Sequence, residues 1–245
     1  MRARRPVYLI AIGVVVVVFA SYLWAPEFLK TIETKLYDLH FALRGVRPPG
    51  EQVVIVGVDE KSLATLGRWP WPRSLLANLV QTLSGAGAKV IAVDILLSEP
   101  EVSGELRAAT RLTERLNTLG VPTASGTGQA VRQELDRLVR AADHDGQLAE
   151  ALRESQRAVL PIVLEIKPGV PTSAPTPSGT PFKSALVSFR HYAERGRYPA
   201  LSARQAIVPI PQLGEAAREL GHVTMIADRD GTTRWDAVVF EYQGY

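Results

Sequence analysis

Val53-Val54-Ile55-Val56-Gly57-Val58 and Val90-Ile91-Ala92-Val93 are two short, continuous apolar runs, and each stops abruptly at an aspartate, Asp59 and Asp94. Runs of this kind, without polar alternation, are the pattern of strands covered on both faces. Between them Leu75, Leu76, Leu79, Val80 and Leu83 form one helical stripe, with Pro72 at its first turn and Gly85-Ala86-Gly87-Ala88 to stop it. The spacing predicts a strand-helix-strand unit whose two strands lie parallel with a right-handed crossover. Both strands then end on one edge of the sheet, the usual ligand edge of open α/β folds. That edge carries Asp59, Glu60, Asp94 and Glu99. The fold class that follows is α/β: a mixed sheet with a parallel centre, formed by these first two strands, flanked by helices.

Upstream, Val7 to Trp24 is an uncharged stretch of 18 residues behind Arg2, Arg4 and Arg5, close to what a bilayer-spanning helix needs. The reading is one N-terminal transmembrane helix. The arginines favour a cytoplasmic N-terminus, which places Pro26 onward on the other side of the inner (plasma) membrane, periplasmic or extracellular. A cleavable export signal is the competing reading, disfavoured by the length of the run and the lack of an Ala-x-Ala site. Residues 1–6 are then a cytoplasmic tip, 7–24 the span, 25–50 a membrane-proximal helix and linker, and 51–245 the extracytoplasmic domain. Within 25–50, Phe28, Ile32, Leu36, Leu39 and Leu43 suit a helix over Glu27 to Leu43 whose stripe packs on the domain or on a second copy. The chain has no cysteine, which removes disulfides and thiol-bound zinc from consideration, and a net charge of +3 is too small to suggest nucleic acid.

After Pro100, helices are expected near Gly104 to Leu119 and Gln129 to Glu154, the second broken around Asp143 to Gly146. Both read as peripheral and without chemistry, and His144 as a turn residue. Ala158 to Leu164 reads as a third strand, with Pro161 arguing for an edge position or a bulge. Pro168 to Pro181 is a Pro/Thr/Ser/Gly surface loop, and Arg190, His191, Arg195, Arg197 and Arg204 a solvated basic stretch. A short helix near Pro211 to Leu220 is capped by Gly221. Strands over His222 to Ala227 and Thr233 to Tyr242 then form a hairpin around Asp228-Arg229-Asp230-Gly231.

The segment Gly67-Arg68-Trp69-Pro70-Trp71-Pro72-Arg73 is a stiff turn presenting two indoles, because each proline fixes its own backbone and restricts the residue before it. Together with Asp38 through Arg44 and Gly45, Val53 to Asp59 with Ser62, Gly87 through Asp94 to Glu99-Pro100, Gly221-His222-Val223, and Asp228 to Gly231 with Arg234, it resembles the second type of CHASE domain. That name stands for cyclase/histidine-kinase-associated sensing extracellular domain. The resemblance runs from Lys35 to Tyr245 and implies a sensory input domain of a bacterial receptor. It also implies a cytoplasmic output module, such as a cyclase or kinase, which is not present in this sequence. No cofactor is implied.

If the first two strands are neighbours, Asp59 and Asp94 stand roughly 5 Å apart along the backbone. Two like charges that close need an arginine such as Arg73 or Arg68, a cation, or protonation. Three readings stay open. The aspartates cap helices and pair with arginine; or Asp59, Trp69, Trp71, Arg73 and Asp94 line a ligand pocket whose indoles suit a cation or an apolar ring; or the carboxylates are catalytic. The last lacks support, since no phosphate cradle, Ser-His-Asp set or aspartyl-phosphate pattern is present, and no metal or catalytic residue is assigned. The function expected is detection of an unknown small-molecule or ionic cue by a membrane-anchored receptor, with a homodimer as one arrangement left open. Binding would shift the domain between two arrangements of unequal affinity for the cue. The alternative is a periplasmic interaction or dimerisation module that binds no ligand.

Overall fold

The structure is a computed structural model that describes residues 5–24, 26–48, 50–101, 103–120, 126–166, 201–228 and 230–242. The chain divides into two compact units, Met1–Val58 and Asp59–Tyr245.

The first unit contains α1 (Arg5–Trp24) and α2 (Pro26–Arg44). Gly45 ends α2 in the left-handed region at φ 69°, and its N–H returns to the Phe41 carbonyl at 3.1 Å. The side chains of α1 from Tyr8 to Ala20 are all exposed. α1 is 20 residues long; among the described residues no helix is long and apolar enough to cross a membrane.

The second unit is mixed α/β. Its elements in order are α3 (Glu60–Leu66), α4 (Arg73–Gly85), β1 (Ile91–Ala92), α5 (Gly104–Thr118), α6 (Gly126–Ala142), α7 (His144–Ser155), β2 (Ala158–Ile166), β3 (Leu201–Ile207), α8 (Pro211–Ala216), β4 (Glu219–His222) and β5 (Phe240–Glu241). β2 is the organising strand. β1 pairs parallel with its start, Ile91 opposite Ala158, and β4 runs parallel along it from Val159↔Glu219 to Ile162↔His222. β3 pairs antiparallel with its second half, Val163↔Ile207 to Ile166↔Ala203, and β5 adds parallel to β3.

The sheet is therefore mixed with a parallel centre, as the sequence suggests; the second of the two predicted strands takes part in it as β1, beside β2 and β4. Val53–Val58, in the first unit, forms no strand among the described residues. An apolar run calls for burial without naming the strand that will take its hydrogen bonds. β1 finds its partner in β2 instead: Ile91 N–H donates to Arg157 O and Val93 N–H to Val159 O.

Pro161 lies inside this central strand and is buried, not on an edge. The odd-numbered residues turn their backbone groups toward β1, and β1 has already ended opposite Val159. The nitrogen that cannot donate thus faces a position where β1 asks for no hydrogen bond. An irregularity does occur, later, between Glu165 and Ile166.

Helices cover the face of β2 that carries Ala158 and Leu160. Leu76, Ala77 and Val80 of α4, Leu148, Ala149, Ala151 and Leu152 of α7, and Leu213 and Ala216 of α8 form one core with them. A smaller cluster continues along the strand with Ile162, Leu164, Ala203 and Tyr242. α7 is thus not peripheral: Ala149, Ala151 and Leu152 are fully buried, and a buried leucine contributes about 1.5–3 kcal/mol.

Near the C-terminus, α8 stops at Ala216, and Ala217 turns extended at φ −64°, ψ 152°. Glu219 to His222 then serves as β4, because the open edge of β2 takes its backbone groups. The Asp228–Gly231 turn forms, with Gly231 at φ 80° and Asp228 N–H donating to Thr232 O at 2.9 Å. Its flanks do not pair as a hairpin, since β4 is committed to β2 and β5 to β3. The Pro168–Pro181 loop and Arg190, His191, Arg195 and Arg197 lie outside the described residues, while Arg204 sits in β3.

Candidate functional site

Asp59 is the N-cap of α3. Its backbone is extended, and its Oδ1 accepts from the Ser62 N–H at 2.8 Å and the Ser62 hydroxyl at 2.6 Å. The hydroxyl and then the amide of Ser62 hold this exposed carboxyl below the usual aspartate range. Here the helix-capping reading of Asp59 matches the geometry.

α3 ends at Gly67, whose φ of 94° suits a glycine, and its carbonyl accepts the Trp71 indole N–H at 2.9 Å. Trp69 and Trp71 meet edge to face, with ring centroids 5.6 Å apart and planes at 65°, a favoured aromatic geometry. The intervening Trp69–Pro70 peptide is cis. Trp69 is 38% exposed and Trp71 half-buried. The turn therefore presents one open indole, held by a second whose polar atom is satisfied.

Two residues on, the chain turns inward. Pro72 precedes α4 and Arg73 is its first residue, yet the guanidinium is buried. Its Nη1 pairs with Oδ1 of the buried Asp145 on α7, and its Nη2 donates to the Glu99 carbonyl. The Arg73 N–H donates to Glu101 Oε2 at 2.7 Å, and the Glu101 N–H donates to Asp145 Oδ2 at 2.9 Å. His144 Nδ1 lies 2.7 Å from Glu101 Oε1. Asp143 caps α7 through the Gly146 N–H at 2.8 Å and so fixes where His144 and Asp145 stand. This closed network joins the start of α4, the segment after β1, and the start of α7.

The five residues read from the sequence thus separate. Trp69 and Trp71 touch each other, Asp59 is tied to Ser62, and Arg73 faces the interior. Asp94 is exposed two residues beyond β1. Sequence reasoning missed Glu101, His144 and Asp145, which lie in a stretch read as without chemistry. The signal available was the Asp143-x-x-Gly146 cap, which brings two further titratable residues to a helix start.

At the other end of the unit, Arg234 forks between Asp228 Oδ2 and Asp230 Oδ2, both at 2.7 Å, and the Trp235 indole donates to Asp228 Oδ1 at 3.2 Å. The arginine, with the Thr232 N–H, holds the Asp230 carboxyl well below its ordinary value. Those carboxylates are matched to a guanidinium rather than to a metal ion. Among the described residues no three His, Asp or Glu gather as a metal-ion site would require.

No curated protein and no solved structure matches the chain. The family of CHASE2 domains, extracellular sensory domains of signalling proteins, matches residues 11–245. With essentially its whole length covered, the chain belongs to the CHASE2 domain family.

Proposed function

We propose that this chain is the input domain of a membrane-anchored receptor and that it reads an extracytoplasmic cue at the Trp69–Trp71 turn, with Asp59 and Asp94 as flanking carboxylates. The anchor is residues 7–24, inferred from the uncharged run and the arginines before it. Residues 25–50 are the lever and 51–245 the sensor, with residues 1–6 and the output module in the cytoplasm. The observation that carries the reading is the turn itself: an open indole on a stiff turn whose next residue, Arg73, is tied into the core. A ligand that prefers one setting of the indoles acts on Pro72 and Arg73, and so on the contact between α4 and α7. Only differential affinity for two settings can move such an equilibrium.

A second reading, an interaction module that binds no ligand, is favoured by the internal satisfaction of Arg73, which leaves it no charge to offer a cue.

Thermal unfolding of the full chain in detergent, against divalent cations, sugars, amino acids and quaternary amines, separates the two, because a ligand binding only the native state raises its stability. The sensor reading predicts a saturable rise in Tm with one class of compound, lost in Trp69→Ala. A panel without any shift, with Trp69→Ala unfolding like the wild type, contradicts it.

A further inference from the structure

We infer that the Glu101–His144 contact is a proton-operated latch on the root of the tryptophan turn: acid tightens the hold on the start of α4, and neutral or alkaline conditions loosen it. His144 Nδ1 lies 2.7 Å from Glu101 Oε1, and the other carboxylate oxygen, Oε2, accepts the Arg73 N–H at 2.7 Å. One carboxylate thus bridges the first residue of α7 and the first residue of α4. Arg73 stands two positions beyond Trp71, so a change in how Glu101 is held reaches the backbone on which the indoles are mounted. The Glu101 main chain is fixed as well, through its N–H on Asp145 Oδ2 at 2.9 Å.

The charges around Glu101 give the direction. Arg73 is paired with Asp145, so the negative charge of Glu101 is met by a backbone N–H and an imidazole. A carboxylate only accepts, so Nδ1 is the donor and the ring takes up its second proton at Nε2. That proton turns a neutral hydrogen bond into a charge-assisted one, roughly twice as strong. The His144 and Glu101 side chains are 16% and 26% exposed, where salt screens less than at an open surface. Of the elements packed against α7, α4 carries one charged residue, Arg73, α8 carries one, Glu215, and α6 has Arg140 in its last turn. On α7 and its cap, Asp143 is committed to the Gly146 N–H and Asp145 to Arg73, and in the segment after β1 Glu99 lends its carbonyl to the same arginine.

Imidazoles change charge between about pH 5 and 8, and Asp59 and Asp230, held below 3.8, stay charged throughout that range. The latch needs no bound compound. Its use in signalling rests on the reading of the turn as the sensing site, whereas the latch itself is measured without any cue.

The test uses the full chain in detergent, with Trp24→Phe and Trp235→Phe so that only the indoles of the turn emit. Emission is followed from about pH 8 to about pH 5 at constant salt, with no compound added. The proposal predicts a single sigmoidal shift. It is lost in His144→Gln, which donates a hydrogen bond without titrating, and in Glu101→Gln, and it is kept in His222→Gln. In the chain with all its histidines, the ring signal of His144, followed by NMR on histidine-labelled protein, moves over the same pH interval as the emission, a readout that depends on no histidine variant folding. Flat emission over the whole range overturns the latch, as does a shift that survives His144→Gln or runs apart from the His144 ring signal. A stabilising compound that acts through Trp69, combined with flat emission against pH, leaves the turn as the sensing site and removes only its control by protons.

Discussion

Asp59 and Asp230 are exposed carboxyls held in the charged form by different partners, a serine in one case and an arginine in the other. Both sit below the ordinary value of 3.8 in the folded chain. The stability each contributes is therefore present above that value and is lost as pH falls through the lower folded value. Acid, not base, loosens these two turns. The largest influence on Asp59 is the Ser62 hydroxyl, so Ser62→Ala predicts an upward move of the Asp59 titration toward 3.8, with the Ser62 amide retaining part of the depression. Carbon-detected NMR titration of the side-chain carboxyl reads this, and an unchanged midpoint would show that the hydroxyl does not hold the cap. At this scale the sequence is readable where chemistry is local. The Asp59-x-x-Ser62 cap and the Gly67 turn involve neighbours, whereas the partner of Arg73 lies 72 positions away, and no spacing rule points to it.

Among the elements, α4 and α7 share the core and are joined at their N-termini by Arg73 and Asp145. Removing one member of a buried pair strands the other, at roughly 3–5 kcal/mol, whereas an apolar pair of similar volume is often neutral. Asp145→Ala therefore predicts a large loss in chemical denaturation of the full chain. Arg73→Met with Asp145→Leu predicts recovery of most of it. A double variant as unstable as the single would mean that Glu99 and Glu101, not the charge pair, hold the helix starts together. Helix periodicity showed α2, α4 and the break between α6 and α7 because each helix satisfies its own backbone. The strands were less legible for the opposite reason. Val53–Val58 has the composition of a strand and forms none among the described residues, while Glu219–His222 reads as the tail of a helix and pairs because β2 offers it an edge. Pro161 shows the same dependence, since its place in the central strand is allowed only by where β1 stops.

At the scale of the molecule, the chain belongs to the CHASE2 family of extracellular sensory domains, and the proposed function assigns sensing to its α/β unit. What the sensor reads is argued from one turn, so the decisive observation is local to it. The chain has four tryptophans, Trp24, Trp69, Trp71 and Trp235. In a Trp24→Phe, Trp235→Phe background only the two indoles of the turn emit. Titrating this variant with whichever compound raises its Tm predicts a saturable change in emission at the concentration that gives half the thermal shift. A compound that stabilises the fold and leaves both indoles unperturbed would place the cue elsewhere and contradict the assignment of the turn as the sensing site.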